Sequence, residues 1–143
     1  MRLQECLVRQ LQLSTTATYA IVGTKVFWSI TAKDPNPPFV RIRKVGHRPL
    51  TNGLQSRRLP AEMAIEAVAY AKSQEAAADL ADAIAADLIN YNGLMPSTSP
   101  ATSGALHVNG IQPGSEEDLV SEEALALNIF AESREYLVRY REA

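Results

Sequence analysis

Two blocks of like charge are the residues most able to do chemistry. Arg41, Arg43, Lys44, Arg48, Arg57 and Arg58 fall in one stretch with no acid among them. Glu116, Glu117, Asp118, Glu122 and Glu123 fall in a later stretch with no base. The formal net charge is only −2, so the chain as a whole has no electrostatic pull toward nucleic acid. Separated blocks of opposite sign suit contact between two unlike surfaces. A head-to-tail ring has that property, because each contact joins one patch of a subunit to a different patch of the next. Charges placed there set register and association rate more than affinity. The plainer alternative is a pair of solvated loops, since exposed charges contribute little one by one.

The other reactive side chains do not assemble into a known site. His47 and His107 are distant in sequence, and no acidic residue recurs beside either at metal-ligand spacing. Glu62 and Glu66 lie two strand periods apart and read as outward charges on one face; a carboxylate pair for glycoside chemistry needs a set separation across a cleft. The seven glycines are scattered, with no phosphate-binding loop among them, and no serine stands in a nucleophile elbow. Cys6 is the lone cysteine, which rules out an intramolecular disulfide; it reads as a small apolar residue of the first helix. The expectation is a protein that is not an enzyme and carries no cofactor or metal.

The elements that must position the charged blocks follow from periodicity. At 143 residues, with 46% apolar and 21% charged side chains, the chain has the size and composition of one ordinary soluble domain, 1–143. No run approaches the roughly 18 apolar residues of a membrane span. Glu5 and Gln10 interrupt the start, so a signal peptide is not expected and a cytoplasmic origin is. Leu3, Leu7, Val8 and Leu11 recur at helical spacing. Ala17–Val22 offers a second helical turn, which Gly23 can end. Val26-Phe27-Trp28-Ser29-Ile30 is a strand, and adjacent Phe27 and Trp28 must face opposite sides. One ring belongs in the core and the other at an interface, for which Trp28 is the candidate.

Pro35, Pro37 and Pro38 stiffen the next connection. Phe39–Val45 alternates, with Val40 and Ile42 on one face and Arg41 and Arg43 on the other. Gly46–Leu59 reads as a long loop, or, given the Asn52-Gly53 turn signal, the whole stretch reads as two strands extended into a hairpin arm. Glu62–Ala71 is a third strand with Met63, Ile65 and Ala67 inward, its alanines leaving a helix open as the alternative. Ser73 caps a helix whose stripe is Ala77, Leu80, Ala81, Ile84, Ala85 and Leu88, with Asn92-Gly93 as its stop. Pro96–Gly104 is a surface loop, Leu106–Ile111 a short strand, and Leu125–Phe130 with Tyr136–Tyr140 the last strands, or one strand bent near Ser133. The class expected is α+β: a mainly antiparallel sheet of about four to five strands packed against two helices, with an extended loop or hairpin arm.

That order resembles the tail-terminator and tail-completion proteins of long-tailed phages. The likeness rests on the helix Leu3–Leu13, on Ala20-Ile21-Val22-Gly23 leading to Val26-Phe27, and on the proline-led strand Pro37-Pro38-Phe39-Val40. It continues through the strand running straight into a helix, Ile65–Ser73 and then Glu75-Ala76 and Leu80-Ala81, to the closing strand Leu127–Arg139. The resemblance implies a six-membered ring at the head-proximal end of the tail, contacting the major tail tube protein and head–tail connector proteins. It implies a hole through which DNA passes without sequence-specific binding, and no catalytic residues. In such a ring the basic block would contact a neighbour or the tube, and the acidic block would receive it or line the lumen. A basic lining is the weaker reading, because strong phosphate contacts would retard sliding DNA. A head-completion or stopper ring, a cytoplasmic adaptor unrelated to phage, and an enzyme with an unfamiliar site are the alternatives.

Overall fold

The computed structural model describes residues 2–28, 36–49, 61–89, 91–95, 106–119 and 129–142. The first helix, α1 (Arg2–Leu11), buries Leu3, Cys6, Leu7 and Leu11, the face that the i, i+4 spacing defines. The short α2 (Ala17–Val22) is started by Thr16, whose Oγ1 accepts from the Tyr19 amide at 3.2 Å. It stops at Gly23, which has φ 62° and donates its amide to the Tyr19 carbonyl at 2.8 Å. That left-handed backbone is one a side chain would strain.

The strands are β1 (Val26–Trp28), β2 (Phe39–Pro49), β3 (Ala61–Ala71), β4 (Gly93–Met95), β5 (Leu106–Leu119) and β6 (Phe130–Glu142). They form one sheet in the order β1-β2-β3-β6-β5-β4. Only β1 and β2 are parallel; the other four pairings are antiparallel. The α+β class expected from the pattern is what forms. Two three-residue edge strands and the short α2 join the larger elements.

Between β3 and β4 runs α3 (Gln74–Leu88), capped by Ser73, whose Oγ accepts from the Ala76 amide at 3.1 Å. It lies along the centre of the sheet on β3 and β6. The stripe Ala77, Leu80, Ala81, Ile84 and Leu88 is buried, as its spacing requires. Below it, β3 contributes Ala67 and Ala69, small residues that admit a close helix. Meanwhile α1 touches β1 near one edge and β4 and β5 near the other, so the sheet curls toward the helices and α1 bridges its flanks. Leu3, Leu7, Leu11, Val26, Val40, Ile42, Met63, Ile65, Leu80, Ile84, Met95, Val108, Ile111, Tyr136 and Val138 share one core. Each fully buried aliphatic side chain there is worth roughly 1.5–3 kcal/mol.

Four expectations need correction. The long-loop reading fails at its start and the reading of extended strands holds there: β2 continues through Gly46 to Pro49 and pairs with β3 back to Ala61. Residues 50–60 and 96–105 lie outside the described residues. Asn92-Gly93 does not end α3, which stops at Leu88; Gly93, at φ 142°, opens β4 instead. The acidic residues Glu116, Glu117 and Asp118 are not a loop but part of β5. The last strands are not two: the reading of one long strand holds over the described residues, since β6 pairs with β3 without interruption from Ala71↔Phe130 to Ala61↔Tyr140. Residues 125–128 lie outside the described part.

The Asp87 side chain ties α2 to α3. The Asp87 carboxylate on α3 accepts from the Ala17 amide at 3.0 Å, the Thr18 amide at 2.8 Å and the Thr18 hydroxyl at 2.5 Å. A carboxylate at the start of a helix meets two orphan amides and the positive end of the dipole together. Thr18 is completely buried, so its hydroxyl depends on this acceptor.

Candidate functional site

With the three described helices on one face, the other face of the sheet carries no described helix. Strand alternation decides what it presents. The register places Phe27, Phe39, Arg41, Arg43, Glu62, Ala64, Glu66, Val68, Tyr70, Ala131, Ser133, Glu135, Leu137 and Arg139 together on this outer face. At one end Phe39 stacks on Tyr70 with centroids 4.5 Å apart and meets Phe27 edge-on at 6.4 Å. The Arg41 guanidinium lies over Tyr70, 5.9 Å from the centroid, a cation–π placement that needs no carboxylate. Further along, Arg43 Nε binds Glu66 Oε1 at 2.7 Å while its Nη2 reaches Oε2 at 3.3 Å, a side-on fork. Arg139 Nε binds Glu62 at 3.3 Å. Leu137 stays 36% exposed beside them.

Glu62 and Glu66 are thus outward strand charges, as expected, and their cross-strand partners are arginines. Trp28, the ring proposed for an interface, is partly buried against the core side; Phe27 takes the outer face instead. Arg41 and Arg43 sit where the alternation put them. Arg48 pairs in register with Glu62. Arg57, Arg58, Glu122 and Glu123 lie outside the described residues. Glu116, Glu117 and Asp118 oppose Arg134, Ser133 and Glu132 across the β5–β6 ladder. The strand order separates β2 from β5 by β3 and β6, three spacings or about 14 Å along the sheet. The basic and acidic strands therefore do not neighbour one another within one subunit.

The edges matter as much as the face. Of the described strands, β1 covers only Val40–Ile42 of β2, and β4 covers only Leu106–Val108 of β5. From Arg43 to Pro49 the outer edge of β2 has no described strand beside it, and the same holds for β5 beyond Val108. Both edges carry irregularities: β2 shifts register between Lys44 and Gly46, and β5 between Val108 and Gly110 and again between Pro113 and Glu116. Pro113, which has no amide to donate, is tolerated on such an edge. At the β2 bulge Val45 is 50% exposed, and Lys44 beside it is exposed as well. Bulges, proline and charge are devices that keep an open edge from pairing indiscriminately.

Burial, with the Cys6 thiol nearby adding in the same direction, raises the Tyr91 phenol above its ordinary 10.0. Among the described residues no three His, Cys, Asp or Glu side chains cluster as a metal site, and no helix is long and apolar enough to cross a membrane. The sequence reading missed Phe39–Tyr70 stacking and the exposed Val45; the break in alternation at Lys44-Val45-Gly46 was the available signal for the second.

Comparison with known proteins agrees with the fold. No family model and no curated protein matches the chain. A chain in the structure described as the virion of a native gene transfer agent particle superposes with TM-score 0.66 at 14% sequence identity, covering 98% of this chain and 95% of that one.

Proposed function

We propose that the protein is a structural, non-enzymatic component of a phage-like virion, forming a ring at the head-proximal end of the tail. The observation that carries this is the end-to-end agreement with the virion chain, in which nearly every residue of both chains has a counterpart. A shared core alone would have left large parts of one chain unmatched. The outer face, which carries no described helix, and the opposite charge of the β2 and β5 segments suit contact with other subunits and support the same reading.

The mechanism is geometric. Six copies close a ring whose one face fits the end of the tail tube and whose other face refuses further tube subunits and receives the head–tail connector. DNA passes through the hole without sequence-specific contacts, and the acidic residues are the candidates for its lining. The particle is assembled in the host cytoplasm, and the protein stays at the head–tail junction. The test is deletion of the gene from the particle-producing genome, with lysates imaged by electron microscopy. Overlong, headless tails are the expected result. Tails of normal length beside full, separate heads would make the protein a head-completion or stopper ring, and intact infectious particles would overturn the virion reading.

A further inference from the structure

The arginines of the outer face are not equivalent. Arg43 and Arg139 each hold a glutamate of their own chain, whereas Arg41 lies against the Tyr70 ring and has no carboxylate partner among the described residues. Its Nε is buried without a hydrogen bond, so the ring contact leaves the guanidinium short of an acceptor. Arg41 keeps part of its surface in solvent, as do Phe27, Phe39 and Tyr70 beside it. Across the sheet, α3 carries acids and no base. Asp87 is taken by α2 and Asp82 by Arg134; Glu75 and Asp79 stay exposed with no ion pair among the described residues. These two stand one turn apart, and a cation between them would relieve their repulsion. We propose that Arg41 of one copy takes the Asp79 carboxylate of a second copy, so that the α3 face of each subunit covers the aromatic end of the next subunit's outer sheet face. This rests on the ring reading above and names the contact that closes the ring.

Three features select a second copy as the occupant. First, the charges are complementary and cannot meet within one chain, because Arg41 and Asp79 lie on opposite faces of the same sheet. The contact is therefore heterologous, the kind that builds rings. Second, the two patches lie at the same height. A ring is generated by rotation, so surfaces that meet must be level along its axis. After Ala71 the chain turns at Ser73 into α3, which runs back along β3 at about 1.5 Å per residue, against about 3.3 Å for the strand. The Asp82–Arg134 pair fixes the scale, since Arg134 is in register with Ala67. Asp79, about 4.5 Å nearer the helix start, is then level with Val68 and Ala69. Val68 is in register with Arg41. Copies stacked front to back about an axis along the strands thus bring Arg41 to Asp79. Third, arginine on tyrosine is the side-chain chemistry that carries most energy in protein contacts, and a helix laid on a sheet face is an ordinary layer.

The test uses the full chain, the single variants Arg41→Glu and Asp79→Arg, and the double variant that carries both. Native mass spectrometry and light scattering read their oligomeric state; urea midpoints establish that each variant folds. The wild type is expected to form a closed oligomer. Each single variant should associate about tenfold or more weakly, because it sets like charges against each other at every contact. The double variant should recover the oligomer, since each contact then joins Glu at position 41 to Arg at position 79. Asp79 is exposed on α3, so Asp79→Arg keeps the test decisive even where Arg41→Glu does not fold. A folded Asp79→Arg that assembles as well as the wild type, or a folded double variant no better than the single ones, would overturn the Arg41–Asp79 contact and leave the ring reading in place. A wild type that stays monomeric, both alone and with purified tails, would overturn the ring reading and the contact together.

Discussion

Replacing Asp87 with alanine removes the one acceptor that α2 shares with α3. Three donors lose their partner: the Ala17 amide, the Thr18 amide and the Thr18 hydroxyl. The Ala17 bond is exposed, and water replaces it at little cost. The two Thr18 bonds are part-buried, and Thr18 itself is fully buried, so its hydroxyl has no water to turn to. A hydrogen bond to a charged group contributes about 1.5–3 kcal/mol, and the two share one carboxylate oxygen, so they do not add in full. The expected loss is about 3 kcal/mol for Asp87→Ala and about half that for Asp87→Asn, which keeps one carbonyl acceptor. With an m-value of about 2 kcal/mol/M, urea unfolding of Asp87→Ala should show a midpoint about 1.5 M lower at unchanged slope. Thr18→Val in the Asp87→Ala background should add little, because the hydroxyl it removes has already lost its partner. An Asp87→Ala midpoint equal to the wild type's, or full additivity with Thr18→Val, would refute the account of how α2 is anchored.

Arg134 offers a second, asymmetric test. It lies under α3 at 15% exposure and binds Asp82 at 2.7 Å and Glu132 at 3.0 Å, while Asp82 is 68% exposed. Arg134→Ala should cost about 3 kcal/mol, because it removes the ion pair with the largely buried Glu132 beneath the helix, and Asp82→Ala less than about 1 kcal/mol, both read from thermal or urea unfolding. Equal costs would show that the pairing with Asp82, not Glu132, holds the arginine. Reversing Arg57 and Arg58 to Glu should weaken ring formation or tube docking in sedimentation without lowering the unfolding midpoint; unchanged assembly would remove those two residues from the interface.

Much of this architecture was legible in the residues. The i, i+4 leucines of α1, the Ser73 cap and the alanine–leucine stripe of α3 are local rules, satisfied by neighbours a turn away. The alternation in β2 and β3 assigned Val40, Ile42, Met63 and Ile65 to the core and Arg41, Arg43, Glu62 and Glu66 to the opposite face, because a strand has only two faces. The like-charge blocks were equally visible, since they depend on nothing but order along the chain.

The tertiary structure decided what those residues meet. Whether Phe27 or Trp28 turned inward depended on the parallel register Val26↔Val40, a pairing between distant segments that no local pattern encodes. Glu62 and Glu66 acquired Arg139 and Arg43 from strands placed on either side of β3 by the topology. The acidic residues, polar enough to read as loop, were drawn into β5 because β6 supplied a long ladder whose backbone bonds outweigh weak strand propensity. That the described basic residues of β2 and acidic residues of β5 lie on strands with two others between them follows from strand order alone. Composition along a chain fixes the sign of each patch, and long-range backbone pairing fixes where the patch points.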